Sequence, residues 1–205
     1  MILEIANINE FDIEETSKDV SSARIEKASK YKYEIDKKRS IAVEYLLNRM
    51  IKKVHPLVNT PVVLEYDDKK KPHLYFEEKE IHFSLSHSGE YVACIISDSP
   101  CGIDIEKHSE TRDYKKIVKR VCTEKELLLI DSETDFYNLW TLKESVLKAI
   151  GLGLSLDMKA VELEEINNAN SKGKKKYRAS VDKSEYLGEI IMAPEGYSLS
   201  YVEKI

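Results

Sequence analysis

Apolar and polar positions along this chain alternate in short blocks that switch between the two-residue period of a strand and the 3.6-residue period of a helix. Residues 2–8 (ILEIANI) predict a strand, and helices are expected over about 17–31 and 36–54. In the second helix Val43, Leu46, Leu47, Met50 and Val54 form one apolar stripe, with Asp36 placed to cap its start. Arg39 lies four residues before Val43 and continues that stripe, which sets a charged side chain along a packing face. Strands are predicted over 62–66 and 81–86, separated by the polar stretch DDKKKPH. Alternation in the later strand gives Ile81, Phe83 and Leu85 one face and His82, Ser84 and Ser86 the other. His87-Ser88-Gly89-Glu90 predicts a turn into a strand at 91–97, and Asp98-Ser99-Pro100 a second turn into 101–106. Helices over 112–121, 124–131 and 136–150 follow, and the chain closes on a β-meander at 160–164, 175–181, 188–193 and 197–203. This order is neither regularly βαβ nor all helical, so it predicts α+β architecture.

Composition narrows the class. The 205 residues suit one large domain or two small ones, and 42% hydrophobic with 34% charged residues is a globular profile. No apolar run approaches the ~20 residues of a membrane-spanning helix. Residues 1–17 carry five acids and no Lys or Arg, unlike a secretion signal, so a cytoplasmic protein without membrane association is expected. Cys94, Cys101 and Cys122 are odd in number and lack C-x-x-C spacing, which disfavours a disulfide framework or zinc ribbon and suits a reducing compartment. A formal net charge of −5 argues against a nucleic-acid partner. Residues 18–53 nevertheless hold eleven Lys/Arg against five Asp/Glu, a basic stretch able to form a solvated helical face or part of a phosphate-binding surface.

Two segments carry the chemistry. In Gly102-Ile103-Asp104-Ile105-Glu106, strand alternation turns Cys101, Ile103 and Ile105 to one face and projects Asp104 and Glu106 from the other, roughly 7 Å apart. Paired carboxylates repel unless a cation lies between them, and hard oxygen ligands suit Mg²⁺ or Mn²⁺. A lone D-x-E is also what a solvated acidic strand face looks like. The second segment, Trp140 to Leu154, reads as a helix with a Gly-rich stop in which Trp140, Glu144 and Lys148 share a face, with Lys143 and Leu147 at its edge. Glu144 and Lys148 suit an exposed i,i+4 pair, or a third metal carboxylate beside a phosphate anchor.

Taken together, the 102–106 and 140–154 motifs, about forty residues apart, resemble the signature of the 4′-phosphopantetheinyl transferases. The length is similar to the surfactin-synthetase-activator type, a single chain of two similar halves. His82 to Gly89 resembles that type's histidine segment, and Lys71-Pro72 its G-K-P, with Lys70 in place of the glycine. Lys37-Lys38-Arg39-Ser40 resembles the basic start of its N-terminal helix. The resemblance implies an α+β fold of two pseudo-twofold halves, residues 1–100 and 101–205, with the active site in the cleft between them. It implies transfer of phosphopantetheine from coenzyme A to a serine of an apo acyl or peptidyl carrier protein, releasing adenosine 3′,5′-bisphosphate. Asp104, Glu106 and Glu144 match the metal-binding acids, with Mg²⁺ expected and Mn²⁺ its alternative. The candidate base is Glu144, or a metal-bound water that it orients, with Glu106 as the other choice. Lys148 matches the lysine near the breaking bond, supported by Lys143. Arg39 and His87 suit the 3′-phosphate, Lys71 the same phosphate or the adenosine, and Ser86 a hydroxyl contact. Glu126 is a secondary candidate near the metal and the carrier, although Thr123-Glu124-Lys125-Glu126 also reads as a capping box.

Two rival readings use the same residues. One is another metal-dependent phosphoryl enzyme, a nuclease or phosphatase, which ordinarily wants more acids or histidines for a second metal. The other is a non-catalytic domain that binds an acidic protein. The transferase reading further expects a monomer whose carrier-docking face is basic or apolar, at 112–121 and Leu127-Leu128-Leu129, with the basic loop at 172–176 as the alternative.

Overall fold

The computed structural model describes residues 1–109, 111, 113–151, 156–166 and 175–205. Arg112, the Gly-rich motif end at 152–155 and most of the basic loop lie outside the described residues. The chain divides into two compact units, Met1–Asp98 and Ser99–Ile205.

In the first unit β1 (Ile2–Asn7) is followed by three helices, α1 (Ile13–Ser17), α2 (Ser22–Ser29) and α3 (Glu34–Val54). Two short hairpins come next, β2 (Glu65–Tyr66) with β3 (Pro72–His73) and β4 (Tyr75–Phe76) with β5 (Lys79–Glu80). Strands β6 (His82–Ser88) and β7 (Tyr91–Ser97) complete an antiparallel sheet of order β1-β7-β6. Ala42, Val43, Leu46, Leu47, Met50 and Ile51 of α3 pack with Val92, Cys94 and Ile96 of β7, so the apolar stripe is the core face. Each of the larger aliphatic side chains among them contributes ~1.5–3 kcal/mol by leaving water.

The expected 17–31 helix is broken. Ser21 accepts the Arg24 amide at 3.2 Å and starts a fresh helix, while its own amide donates to Glu44 Oε1 at 2.7 Å. Helix α3 begins at Glu34 rather than at an Asp36 cap, because Asp36 lies within its first turn and pairs with Arg39. Strand β6 runs on through His87 and Ser88, which leaves Gly89 and Glu90 as the turn, with Gly89 at φ 53°.

The second unit is a five-stranded antiparallel sheet of order β8-β12-β11-β10-β9. Its strands are β8 (Cys101–Lys107), β9 (Glu162–Ile166), β10 (Lys176–Val181), β11 (Ser184–Ile190) and β12 (Tyr197–Lys204). Helices α4 (Tyr114–Val121), α5 (Glu124–Leu127) and α6 (Glu133–Ile150) lie between β8 and β9 in the chain. Helix α6 starts at a Ser132–Asp135 capping box, three residues earlier than its apolar period suggested. It stops at Gly151, whose φ of 82° suits only a residue without Cβ and whose amide donates to Leu147 O at 2.9 Å. Phe136, Leu139, Leu142, Val146 and Ala149 pack with Tyr177, Ala179, Tyr186 and Val202, so α6 lies on the sheet. Both units are thus mixed α+β, as the element order implied.

Candidate active site

The site is built where α6 crosses β8. Gly102 sets the approach, because a Cβ there would stand 1.8 Å from the Ser145 carbonyl oxygen. Only glycine permits that closeness. Side chains of the same helix turns tie it to β12, the strand next to β8. Ser145 Oγ donates to Ser200 O at 3.0 Å, and Thr141 Oγ1 shares a 2.8 Å hydrogen bond with Ser200 Oγ. Ser200 is the cross-strand partner of Asp104, and Ser198 that of Glu106. These small hydroxyl residues fill the space under the helix and bring the acids of β8 within reach of its far end.

Asp104 is buried, 7% exposed, while Ile103 and Ile105 are fully buried, in keeping with the expected alternation. Lys148 Nζ lies 2.7 Å from Asp104 Oδ1 and donates to Ile103 O at 3.0 Å. Glu144, one turn earlier and half-buried, has its carboxyl pushed up to about 7. Burial is the largest cause, and the Asp104 charge adds to it; Lys148 opposes the shift, and Glu106 adds a smaller push upward. Asp104, Glu106, Glu144 and Lys148 therefore share one electrostatic neighbourhood. Among the described residues no three acids, histidines or cysteines converge as a ready-made metal cage. The donor set still fits a small divalent ion, since three hard-oxygen carboxylates repel one another with one ammonium among them.

The end of β8 is fixed by contacts that the sequence reading missed. The His108 ring stacks on Tyr137 at 4.5 Å and 12°, and His108 Nε2 lies 3.0 Å from Ser198 Oγ. The Ser109 amide donates to Tyr137 Oη at 2.9 Å. Burial lowers the His108 pKa, which favours the neutral ring.

Two expected site residues are employed elsewhere. Lys143, named as a phosphate anchor, is 0% exposed and ion-pairs with Glu126 at 2.8 Å. Its ammonium also donates to Met158 O at 3.0 Å and Val161 O at 2.7 Å, so its three protons are all engaged. A phosphate has no access to it. Glu126, named as a secondary residue near the metal, is 1% exposed. It accepts from the Thr123 amide at 2.7 Å and the Leu163 amide at 3.1 Å, and the Thr123 capping box forms around it. Burial sets Lys143 apart from a phosphate anchor, and of the two readings of Glu126 it is the capping box that forms.

The first unit holds the other candidates. Arg39 donates from Nη1 to Gly89 O at 3.3 Å and from Nη2 to Asp36, which places its guanidinium beside the turn that follows His87. Arg39 Nε is buried without a hydrogen-bond partner among the described residues, an orphan donor whose desolvation costs about 1–3 kcal/mol unless an acceptor arrives. His87 is exposed and Ser86 buried on the same strand. Lys71 follows a turn tied by Asp67, whose Oδ1 accepts the amides of Lys69 at 3.0 Å and Lys71 at 2.8 Å. Lys70, standing where the resemblance expects glycine, takes φ 65°. The left-handed backbone is kept and the non-glycine residue carries a strain of ~1–2 kcal/mol.

Residues 100–202 match the family described as the 4′-phosphopantetheinyl transferase superfamily, and residues 10–99 match the N-terminal family of the same transferases. The chain belongs to the 4′-phosphopantetheinyl transferase superfamily. It is 33% identical over 155 residues to a 4′-phosphopantetheinyl transferase of Aneurinibacillus migulanus, covering 73% of this chain and 63% of that protein. The transferase Sfp of Bacillus subtilis is 33% identical over 146 residues, covering 68% of this chain and 63% of its own length. The L-aminoadipate-semialdehyde dehydrogenase-phosphopantetheinyl transferase of Xenopus laevis is 32% identical over 146 residues, 63% of this chain and 48% of that one. The match thus spans somewhat less than two-thirds of these relatives.

Proposed function

We propose that this chain transfers the 4′-phosphopantetheine group of coenzyme A to a serine hydroxyl of an apo acyl or peptidyl carrier protein. The observation that carries the reading is the convergence of Asp104, Glu144 and Lys148 on the β8–α6 crossing, in a chain of this superfamily. Asp104, Glu106 and Glu144 would hold Mg²⁺, with Mn²⁺ as the alternative. The ion, when bound, neutralises the pyrophosphate oxygens and so makes the phosphorus easier to attack. The serine oxygen forms a bond to that phosphorus as the bond to the adenosine 3′,5′-bisphosphate oxygen breaks. Glu144 takes the serine proton, with Glu106 as the alternative base, and Lys148 balances charge on the leaving phosphate.

In the first unit Arg39 and His87 are assigned to the 3′-phosphate of coenzyme A, the orphan Nε of Arg39 finding its acceptor there. Lys71 reaches the nucleotide from its Asp67-tied turn, and Ser86 contributes a hydroxyl. Carrier docking is assigned to α4, where Lys115, Lys116, Lys119 and Arg120 are exposed, together with Leu128, which is 83% exposed. Action as a single chain in the cytoplasm is part of this proposal, and Cys94, Cys101 and Cys122 are all buried. Among the described residues no helix is long and apolar enough to cross a membrane. The test is intact-mass measurement of an apo carrier protein incubated with the chain, coenzyme A and Mg²⁺. One added phosphopantetheine group per carrier is expected, and an unchanged mass would refute the transferase reading.

A further inference from the structure

We infer that the buried Lys143–Glu126 pair is a positioning device that sets the rotation of α6, and with it the place of Glu144 and Lys148 over β8. The inference rests on the transferase reading above for its catalytic consequence, and on geometry alone for its structural one.

The pair joins three parts of the second unit. Glu126 belongs to α5, Lys143 to α6, and the carbonyls of Met158 and Val161 to the segment that enters β9. Every partner is fixed. Glu126 is engaged by the Thr123 amide, the Leu163 amide and the ammonium; Lys143 by Glu126 and the two carbonyls. A hydrophobic residue at 143 would pack as well, but it would leave those carbonyls and a buried carboxylate without a donor. Buried ion pairs of this kind give little net stability over apolar replacements and are strongly destabilising when one partner is removed. Their contribution is to fix one arrangement.

The arrangement fixed here is a rotation. Successive residues of a helix are ~100° apart, so Lys143 and the acid beside it point to different sides of α6. The sheet side is tied by Ser145 and Thr141 to Ser200, and Lys143 ties the opposite side to the 158–161 turn. A helix held on one side only is free to roll about that seam. A roll of ~20° moves a side-chain tip at the ~5–6 Å helix radius by roughly 2 Å. Misplacement of a reacting group by ~1 Å can cost about 100-fold in rate. Lys143 therefore acts through Glu144 and Lys148 without touching substrate.

The test compares Lys143→Met, Glu126→Gln and the double variant with the full wild-type chain, reading thermal midpoint, kcat, and KM for coenzyme A. Each single variant is expected to lower the midpoint by about 10 °C, since it strands a buried charge. In Lys143→Met, kcat falls at least about tenfold while KM for coenzyme A stays within about twofold, the split expected of a group that positions others. The double variant recovers more than half of the midpoint loss, because no unpaired charge remains, while kcat stays about tenfold low because the tie to the 158–161 turn is still missing. An unchanged midpoint in Lys143→Met, a KM for coenzyme A raised about tenfold at constant kcat, a double variant whose midpoint is no higher than the single's, or a double variant with wild-type kcat would each overturn the inference. If Lys143→Met does not fold, the double carries the test: folded with kcat lowered about tenfold and KM for coenzyme A unchanged supports positioning, folded with wild-type kcat contradicts it. A wild-type chain that transfers nothing refutes the functional reading instead, and recovery of the midpoint in the double variant then decides the coupling by itself.

Discussion

Helix α6 carries two lysine–carboxylate pairs five residues apart, and they do opposite things. Lys143–Glu126 and Lys148–Asp104 are nearly the same length, 2.8 and 2.7 Å. The first has side chains 0% and 1% exposed, and the second 29% and 9%. In the first, each remaining donor and acceptor meets backbone, so nothing is left for a ligand. In the second, the pair stands among two further carboxylates, one of them Glu144 with its raised pKa, and the neighbourhood remains short of positive charge. Distance alone would class the two as equals. What separates them is exposure: the first pair is sealed in the interior, which makes a rivet, and the second stays partly open beside other ionisable acids, which makes a site.

The sharpest way to break this contrast is to empty the more exposed cluster. Asp104→Ala and Glu144→Gln should each lower transfer by at least about 100-fold, the scale of losing one well-placed electrostatic contact. Stability should respond oppositely to that of the rivet. The Glu144 pKa is raised in the folded chain, so its ionised form is disfavoured by folding, and that penalty is present above about 7 and fades as pH falls toward the ordinary carboxyl value of 4.5. In metal-free buffer Glu144→Gln should therefore melt higher than wild type at pH 8 and equally at pH 4. Calorimetry at the two values checks this, and a loss of stability at pH 8 would mean that Glu144 is a rivet too.

A second break attacks the crossing itself. Gly102→Ala forces its new methyl into the Ser145 carbonyl, so α6 must lift from β8. Overpacking costs about 1–3 kcal/mol, here in a contact with backbone that cannot rotate away, so the midpoint should fall by several degrees. Transfer should fall further than stability explains, because the lysine and acid part company. Urea melts and turnover on the same preparation separate the two effects.

Smaller effects test the first unit and the docking face. Arg39→Gln should raise KM for coenzyme A about tenfold or more, the range for a charge-assisted hydrogen bond, with kcat little changed. 3′-Dephospho-coenzyme A should erase most of that difference. Lys116→Glu with Lys119→Glu should raise KM for the carrier severalfold and leave KM for coenzyme A nearly constant, with the penalty shrinking as salt rises. A penalty indifferent to salt would move docking off α4.

How much of this was readable beforehand depended on the range of the contacts involved. The β8 and α6 motifs could be placed from sequence because strand alternation and helical spacing fix which residues share a face; β8 formed within one residue of its expected span, and α6 kept its expected end but began three residues earlier. The overall α+β character followed from the order of elements for the same reason. What periodicity could not supply was the third dimension. Lys143 sits at the edge of a helical face, and its burial depends on Glu126, Met158 and Val161, which lie 15 to 18 residues away on either side. The tightness at Gly102 depends on Ser145, and the His108–Tyr137 stack on a ring 29 residues on. Tertiary contacts of that separation leave no local pattern. The helix break at Ser21 was more accessible, since serine is a preferred N-cap residue.

The most direct test of the central contrast is to make the two lysines fail separately in one assay. Lys148→Met and the double variant Lys143→Met/Glu126→Gln are incubated with apo carrier, coenzyme A and Mg²⁺ at a temperature where both are folded, and the intact mass of the carrier is followed with time. The double variant should convert the carrier at a rate within about tenfold of wild type, while Lys148→Met, though folded, should fall behind by about 100-fold or more. Normal conversion by Lys148→Met, or none by a well-folded double variant, would contradict the division of one helix into a rivet and a site.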